Sequence, residues 1–248
     1  MRTLLASWQT RLGVALVALS VAGYLIHYAI FRDVHHIFLY LVGDIAFVFL
    51  EVLLVTLILH ELLNRHEKQM RLEKLNMVVG AFFSEVGTTL LRYFADWDAG
   101  LSPRREKLQV TTLWTEEQFD NVALSMKDYS YGVEPSRVQF DELRSSLAGN
   151  LEFLLRLLEN PNLLEHERFT NLLMATFHLG EELAARKNTS ECPESDMLHL
   201  AGDINRVYGQ LALFWLEYMK YLKANYPYLF SLAVRMNPFD ESASPTVQ

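Results

Sequence analysis

Apolar residues follow two unlike patterns along the chain. Up to His60 they run almost without interruption; beyond it they recur every three or four positions. The first run, Leu12 to Ile30, holds nineteen residues without a charge. The second, Ile37 to His60, holds twenty-four and is broken only by Asp44 and Glu51. At a helical rise of ~1.5 Å per residue the two runs reach about 28 and 36 Å, enough to cross a ~30 Å hydrocarbon core. The spacing therefore predicts two transmembrane helices, about 12–30 and 37–60, joined by the short turn Phe31 to His36 into an antiparallel hairpin. A rival reading of the first run is a signal peptide cut after Ala22, on the small-residue pattern Ser20-x-Ala22; the apolar run continues past that point and favours a span.

Beyond His60 no Gly or Pro intervenes before Gly80, so the second helix is predicted to continue as a juxtamembrane helix over 61–95. Glu61 with Arg65 and Glu67 with Arg71 give favourable i,i+4 pairs on it. The stretch from Met77 to Phe83 is apolar all round, and Gly80, Ser84 and Gly87 leave a small-residue stripe where another helix can approach. Asp96 to Lys107 reads as a loop broken by Gly100 and Pro103. A helical domain over 96–236 follows, with helices at about 114–127, 136–159, 163–186, 196–224 and 227–235. Its clearest stripes are Phe140, Leu143, Leu147, Leu151, Leu154, Leu155, Leu158 and then Leu211, Phe214, Trp215, Tyr218, Leu222. Residues 237–248 are polar and Pro-containing and read as a flexible tail. The fold class is all-α.

Charge decides the orientation. Arg2, Arg11 and Arg32 balance Asp33, Asp44 and Glu51, so the whole net charge of −8 belongs to residues beyond 60. Arg2 and Arg11 flank one end of the hairpin, with Arg65, Lys68, Arg71 and Lys74 after the second span, while the turn offers only Arg32 beside Asp33. The positive-inside rule then predicts a multi-pass protein of a bacterial inner membrane, both termini and the helical domain cytoplasmic. An acidic domain argues against nucleic acid as a partner. With Cys192 as the single cysteine, no intrachain disulfide and no cysteine-based zinc site can form.

The candidate chemistry begins with the two acids. They are seven residues apart, which at ~100° per residue places them within ~20° of one another on one helix face. Ionisable groups inside a span are expensive and mark function by default. Asp44 lies about as deep as Tyr24, within reach of Ser20 and His27, whereas no polar side chain of the first helix obviously reaches Glu51. Several second helices around an axis would solve that. Asp44, Phe47, Glu51, Leu54 and Ile58 would then line a cation-permissive pathway, the acids concentrating cations and the apolar rings gating by dewetting. A protonated Glu51 that only holds an oligomer together by interhelical hydrogen bonds is the plainer alternative. In function these become a homo-oligomeric channel or a non-conducting anchor presenting a helical interaction domain to a cytoplasmic protein partner. No cofactor is expected beyond divalent or monovalent cations.

Two further clusters could hold metals. His27, Asp33, His35 and His36 crowd the outer turn as a metal or pH site. In the helical domain, His178 with Glu181 and Glu182, and His199 with Asp203, have ligand spacing on amphipathic helices. The first pair resembles the hemerythrin pattern without its His-x-x-x-His. No nucleophile elbow, phosphate loop or zinc-protease motif stands in the chain, so an enzyme is not indicated.

In layout, two spans with acids in the second resemble the mitochondrial calcium uniporter. That family pairs an Asp and a Glu three apart, whereas here Phe47 stands three after Asp44, so the resemblance implies acidic rings but no residue roles. GDIAFVFLEVLLVTLILHELL followed by LEKLNMVVGAFFSEVG is similar to an uncharacterised group of bacterial two-span proteins, a resemblance that carries no activity.

Overall fold

The computed structural model describes residues 8–161, 163, 166–189 and 192–246. All regular structure among them is helical, and they divide into two compact units, Met1–Lys68 and Gln69–Gln248.

The first unit contains α1, Trp8–Phe31, and the beginning of α2, Val34–Phe82. Only Arg32 and Asp33 separate the helices, a tighter turn than the sequence predicts. Arg32 takes a left-handed conformation (φ 53°), and its N–H still bonds Tyr28 O at 2.9 Å, closing α1. Asp33 then opens α2 by accepting N–H bonds from His35 (2.9 Å) and His36 (3.3 Å), an N-cap that satisfies donors the helix leaves free. The predicted hairpin does not zip: α1 has no buried residue, and along α2 as far as Lys68 side chains are shielded only near the turn. Val14, Leu19, Leu25, Phe38, Phe49 and Leu53 are all exposed. Both helices are long and apolar enough to cross a membrane. A surface this apolar and this large is not left to water in a monomer.

The second unit begins inside α2, at Gln69. Leu75, Val79 and Phe82 of α2 are buried in its core. At Phe83–Gly87 the helix widens into one π-helical turn before continuing as α3, Thr88–Trp97. The π turn holds an extra residue, and Phe82 and Phe83, where it begins, are both buried. Phe83 stacks on Tyr218 at 5.2 Å, and Phe82 meets Phe169 edge-on at 5.6 Å. The predicted close approach is real at Gly80, where a Cβ would stand 2.9 Å from the Tyr218 hydroxyl.

The predicted loop after α3 is instead a run of 3₁₀ turns, Ala99–Leu108, with Pro103 inside it. The following helices are α4 (Glu116–Lys127), α5 (Phe140–Ala148), α6 (Leu151–Leu158), α7 (Glu167–Ala185), α8 (Glu194–Asn225) and α9 (Pro227–Arg235). α8 is the central helix and packs against α3, α4, α7 and α9. The single helix expected at 136–159 is two, broken at Gly149 and Asn150, and residues 136–139 stay outside it. Leu147 and Leu154, one in each helix, both reach the core, and Gly180 of α7 gives Leu151 room that a Cβ, at 2.7 Å from Leu151 Cδ2, would remove. The start predicted for the next helix falls partly on residues outside those described; α7 opens at Glu167, capped by His166, whose Nδ1 accepts from Phe169 N at 3.4 Å.

The tail is not loose at its start. Phe239 is 1 % exposed and packs edge-on against Trp215, and Asn237 donates to Leu108 O at 2.8 Å while accepting from Phe239 N. Arg105 binds Glu241 as well as Asp96. A polar composition concealed one apolar anchor, and that anchor is enough to dock the segment.

Candidate functional site

The face predicted from the sevenfold spacing is present on one unbroken helix. Asp44 and Glu51 lie on α2 about 10.5 Å apart along the axis. Both are exposed, and neither has a hydrogen bond or ion pair to another described residue, so the bond from Asp44 to Tyr24 or His27 is not made. Phe47, Leu54 and Ile58 are exposed on the same helix. Two carboxylates within an apolar surface, with no partner in their own chain among the described residues, are the feature that most requires something outside the chain.

At the turn, the structure brings together two of the four predicted residues. His27 Nε2 and His36 Nδ1 stand 3.5 Å apart with ring planes 15° from parallel. Phe31 and Tyr40 flank them, Phe31 at 4.7 Å from the His27 ring and Tyr40 at 4.6 Å from the His36 ring. Asp33 accepts both backbone N–H groups it caps through Oδ1. His35 is exposed.

The histidines predicted as metal ligands in the bundle each stand beside the carboxylate one turn further along the same helix. His178 Nε2 lies 3.8 Å from Glu182 Oε1, and His199 Nε2 lies 3.5 Å from Asp203 Oδ2, each pair as its spacing predicts. Arg186, at the end of α7, bridges Glu182 to Asp196 in the first turn of α8. It grips Asp196 with two bonds of 2.7 Å and Glu182 with a third of 2.7 Å. Arg206 holds the other Asp203 oxygen at 3.1 Å. Glu181 lines a groove together with His178 and Arg206. Among the described residues no group of three or more His, Cys, Asp or Glu is arranged to hold a metal ion. The bonds from Arg186 hold Asp196 well below the usual carboxylate range and lower Glu182 too, and the guanidinium itself is raised. Asp196 in turn raises Cys192, so that thiol is kept protonated.

A depressed carboxylate stabilises the fold fully above its unfolded pKa, roughly 4, and that contribution is lost as pH falls through the folded value. Taking the protein from pH 6 to pH 3 should therefore narrow the gap in melting temperature between wild type and Arg186→Gln, read by circular dichroism. A gap that stays constant or widens on acidification would contradict the pairing.

One polar cluster was not legible beforehand. Asp98, 4 % exposed at the end of α3, accepts from Tyr129 Oη at 2.8 Å and from the N–H of Gly100 at 3.0 Å. Burial raises Asp98 and, more strongly, Tyr129, Tyr131 and Tyr208. Tyr131 is edge-on to both Tyr129 and Tyr208, and Arg104 lies 4.9 Å over the Tyr129 ring. The signal was the Tyr129-Ser-Tyr-Gly132 turn, whose aromatic rings are costly on a surface. The cluster ties the 3₁₀ segment and that turn to α8.

A groove of about 630 Å³ remains open on the bundle. Leu155, Leu158, Met174 and Phe177 line it, and His178, Glu181 and Arg206 supply its polar groups.

An all-helical chain with two unpacked apolar helices ahead of a packed bundle defines a two-part class of helical protein. Residues 71–235 match the family described as "Uncharacterized protein MJ1433, C-terminal helical domain", and residues 3–63 match "MJ1433, N-terminal helical domain". Uncharacterized protein MJ1433 from Methanocaldococcus jannaschii is 44% identical over 232 residues, covering 94% of this chain and 93% of that protein. The chain belongs to the MJ1433 family. The two matches separate where the compact units separate, between residues 63 and 71. No solved structure matches the chain.

Proposed function

We propose that this protein is a homo-oligomer of a cell inner membrane in which α1 and the first part of α2 form a transmembrane hairpin and the α2 helices line a cation-permissive pathway. The observation that carries the reading is the pair of exposed, unpartnered carboxylates, Asp44 and Glu51, on one face of a helix apolar enough to span a bilayer. In lipid such groups protonate, draw in water or find partners on other copies. Several α2 helices around an axis turn that cost into two acidic rings, Asp44 outside and Glu51 near the middle, with Phe47, Leu54 and Ile58 as apolar constrictions. The open packing of α1 on α2 leaves the surface of α2 free for neighbours. Arg2 and Arg11 near the start of α1, with Arg65, Lys68, Arg71 and Lys74 after the span, favour a cytoplasmic location for both termini and for the bundle, which then assembles or regulates the pathway.

The groove between α6, α7 and α8 favours a second reading, a non-conducting anchor whose bundle recruits a protein partner. The two readings separate in liposomes. Purified protein should release a trapped cation down an applied gradient faster than protein-free liposomes do. An assembled oligomer that releases none under any cation gradient, voltage or pH would leave the anchor.

A further inference from the structure

We propose that His27 and His36 form a two-coordinate site for a monovalent copper ion, held in line between Nε2 of His27 and Nδ1 of His36. The site goes beyond the pathway reading, since it belongs to one chain's turn and is complete without conduction.

The geometry begins with the Arg32–Asp33 turn, which carries an imidazole from the last part of α1 onto one from the first turn of α2. Both rings are half-buried in a region where most side chains are exposed. Their nitrogens are 3.5 Å apart and their centroids 5.7 Å apart, with planes 15° from parallel. The centroid separation exceeds the nitrogen separation by about two ring radii, so both nitrogens lie close to the line joining the rings. Their lone pairs therefore face one another. At 3.5 Å this contact is long for a hydrogen bond, which is strongest near roughly 2.9 Å.

An ion between the nitrogens fits better. An imidazole nitrogen binds a first-row metal at roughly 2.0 Å, so an in-line bridge needs about 4 Å, an opening of roughly 0.5 Å from the present contact. A tetrahedral zinc would need the lone pairs to converge at an angle and two more donors. The neighbouring candidates do not supply them. Asp33 is tethered to the first turn of α2 through Oδ1, and among the described residues no third His, Cys, Asp or Glu completes a metal-binding group. Copper(I), a closed-shell ion of low charge, is satisfied by two nitrogens in line, and imidazole is among its accepted ligands. The rings of Phe31 and Tyr40 beside the pair suit an ion that carries no water.

The test uses the full chain in detergent with Cys192→Ser, which removes the thiol. Copper(I) is titrated anaerobically against a chromophoric copper(I) chelator, in that background and with His27→Gln, His36→Gln or His35→Gln added. The background and the His35 variant should each withdraw one copper per chain, and the His27 and His36 variants should bind at least tenfold more weakly. X-ray absorption of the copper-loaded background, which does not depend on any variant folding, should show two nitrogen donors and no others. Unchanged affinity in the His27 and His36 variants overturns the site. So does a first shell containing oxygen, sulfur or more than two donors, or displacement of the copper by an equal concentration of zinc. Each of these outcomes is independent of whether the protein conducts.

Discussion

Glu51→Gln is expected to lower cation flux tenfold or more while leaving the oligomer assembled. Glutamine keeps the shape and hydrogen-bonding reach of glutamate and removes only the charge. A cation about 4 Å from one carboxylate gains roughly 4 kcal/mol at an effective dielectric constant near 20, and a loss of only ~1.4 kcal/mol at the narrowest point is already tenfold. Asp44→Asn, at the wider outer level, should act in the same direction with a smaller effect, and Leu53→Gln, on the opposite face, should leave flux near wild type. Proteoliposome flux beside the oligomer's size in detergent reads both quantities. If Glu51 were only interhelical glue, the size would change and there would be no charge-dependent flux to lose.

Phe82→Ala should cost the bundle about 3–5 kcal/mol, as large-to-small changes at fully buried aromatic sites do. Phe82 is 0 % exposed at the last turn of α2, edge-on to Phe83 and to Phe169 of α7, and close enough to Gly87 that a Cβ there would come within 2.9 Å of its ring. It joins three elements at the π turn, so the cavity left by alanine is bounded by groups that cannot all collapse into it. For a unit of this size the loss corresponds to a fall in melting temperature on the order of 10 °C. Met77→Ala on the exposed side of the same helix should change it by no more than about 2 °C. Equal effects of the two changes would mean that the end of α2 does not carry the core of the bundle.

The helices that a repeating stripe defines were legible in the sequence. α8 follows Leu211, Phe214, Trp215 and Leu222, all buried, and α4 and α9 begin and end within two residues of expectation. Periodicity failed where the backbone departs from it. The extra residue of the π turn at Phe83–Gly87 leaves no mark in a 3.6-residue pattern, and the stripe from Phe140 to Leu158 continues past a break that only Gly149 and Asn150 announce. Composition failed at the tail, where Phe239 outweighs its polar neighbours. At the candidate sites, spacing within one helix was reliable: the i,i+4 pairs on α7 and α8 do meet. What holds Glu182 beyond its own helix was not legible, because the bridge through Arg186 to Asp196 crosses from α7 to α8. The Asp98 cluster depends on residues 31 and more positions apart, and no local pattern reports such a meeting.

The central claim is that one face of α2 borders water inside an oligomer. Single cysteines placed in the Cys192→Ser background test it directly, because a charged thiol reagent reacts only with a thiolate in contact with water. Phe47→Cys, Glu51→Cys, Leu54→Cys and Ile58→Cys in proteoliposomes should be modified, and Phe49→Cys and Leu53→Cys should be protected. Protection of all six, or modification at positions 49 and 53 in place of the acidic face, would contradict the account.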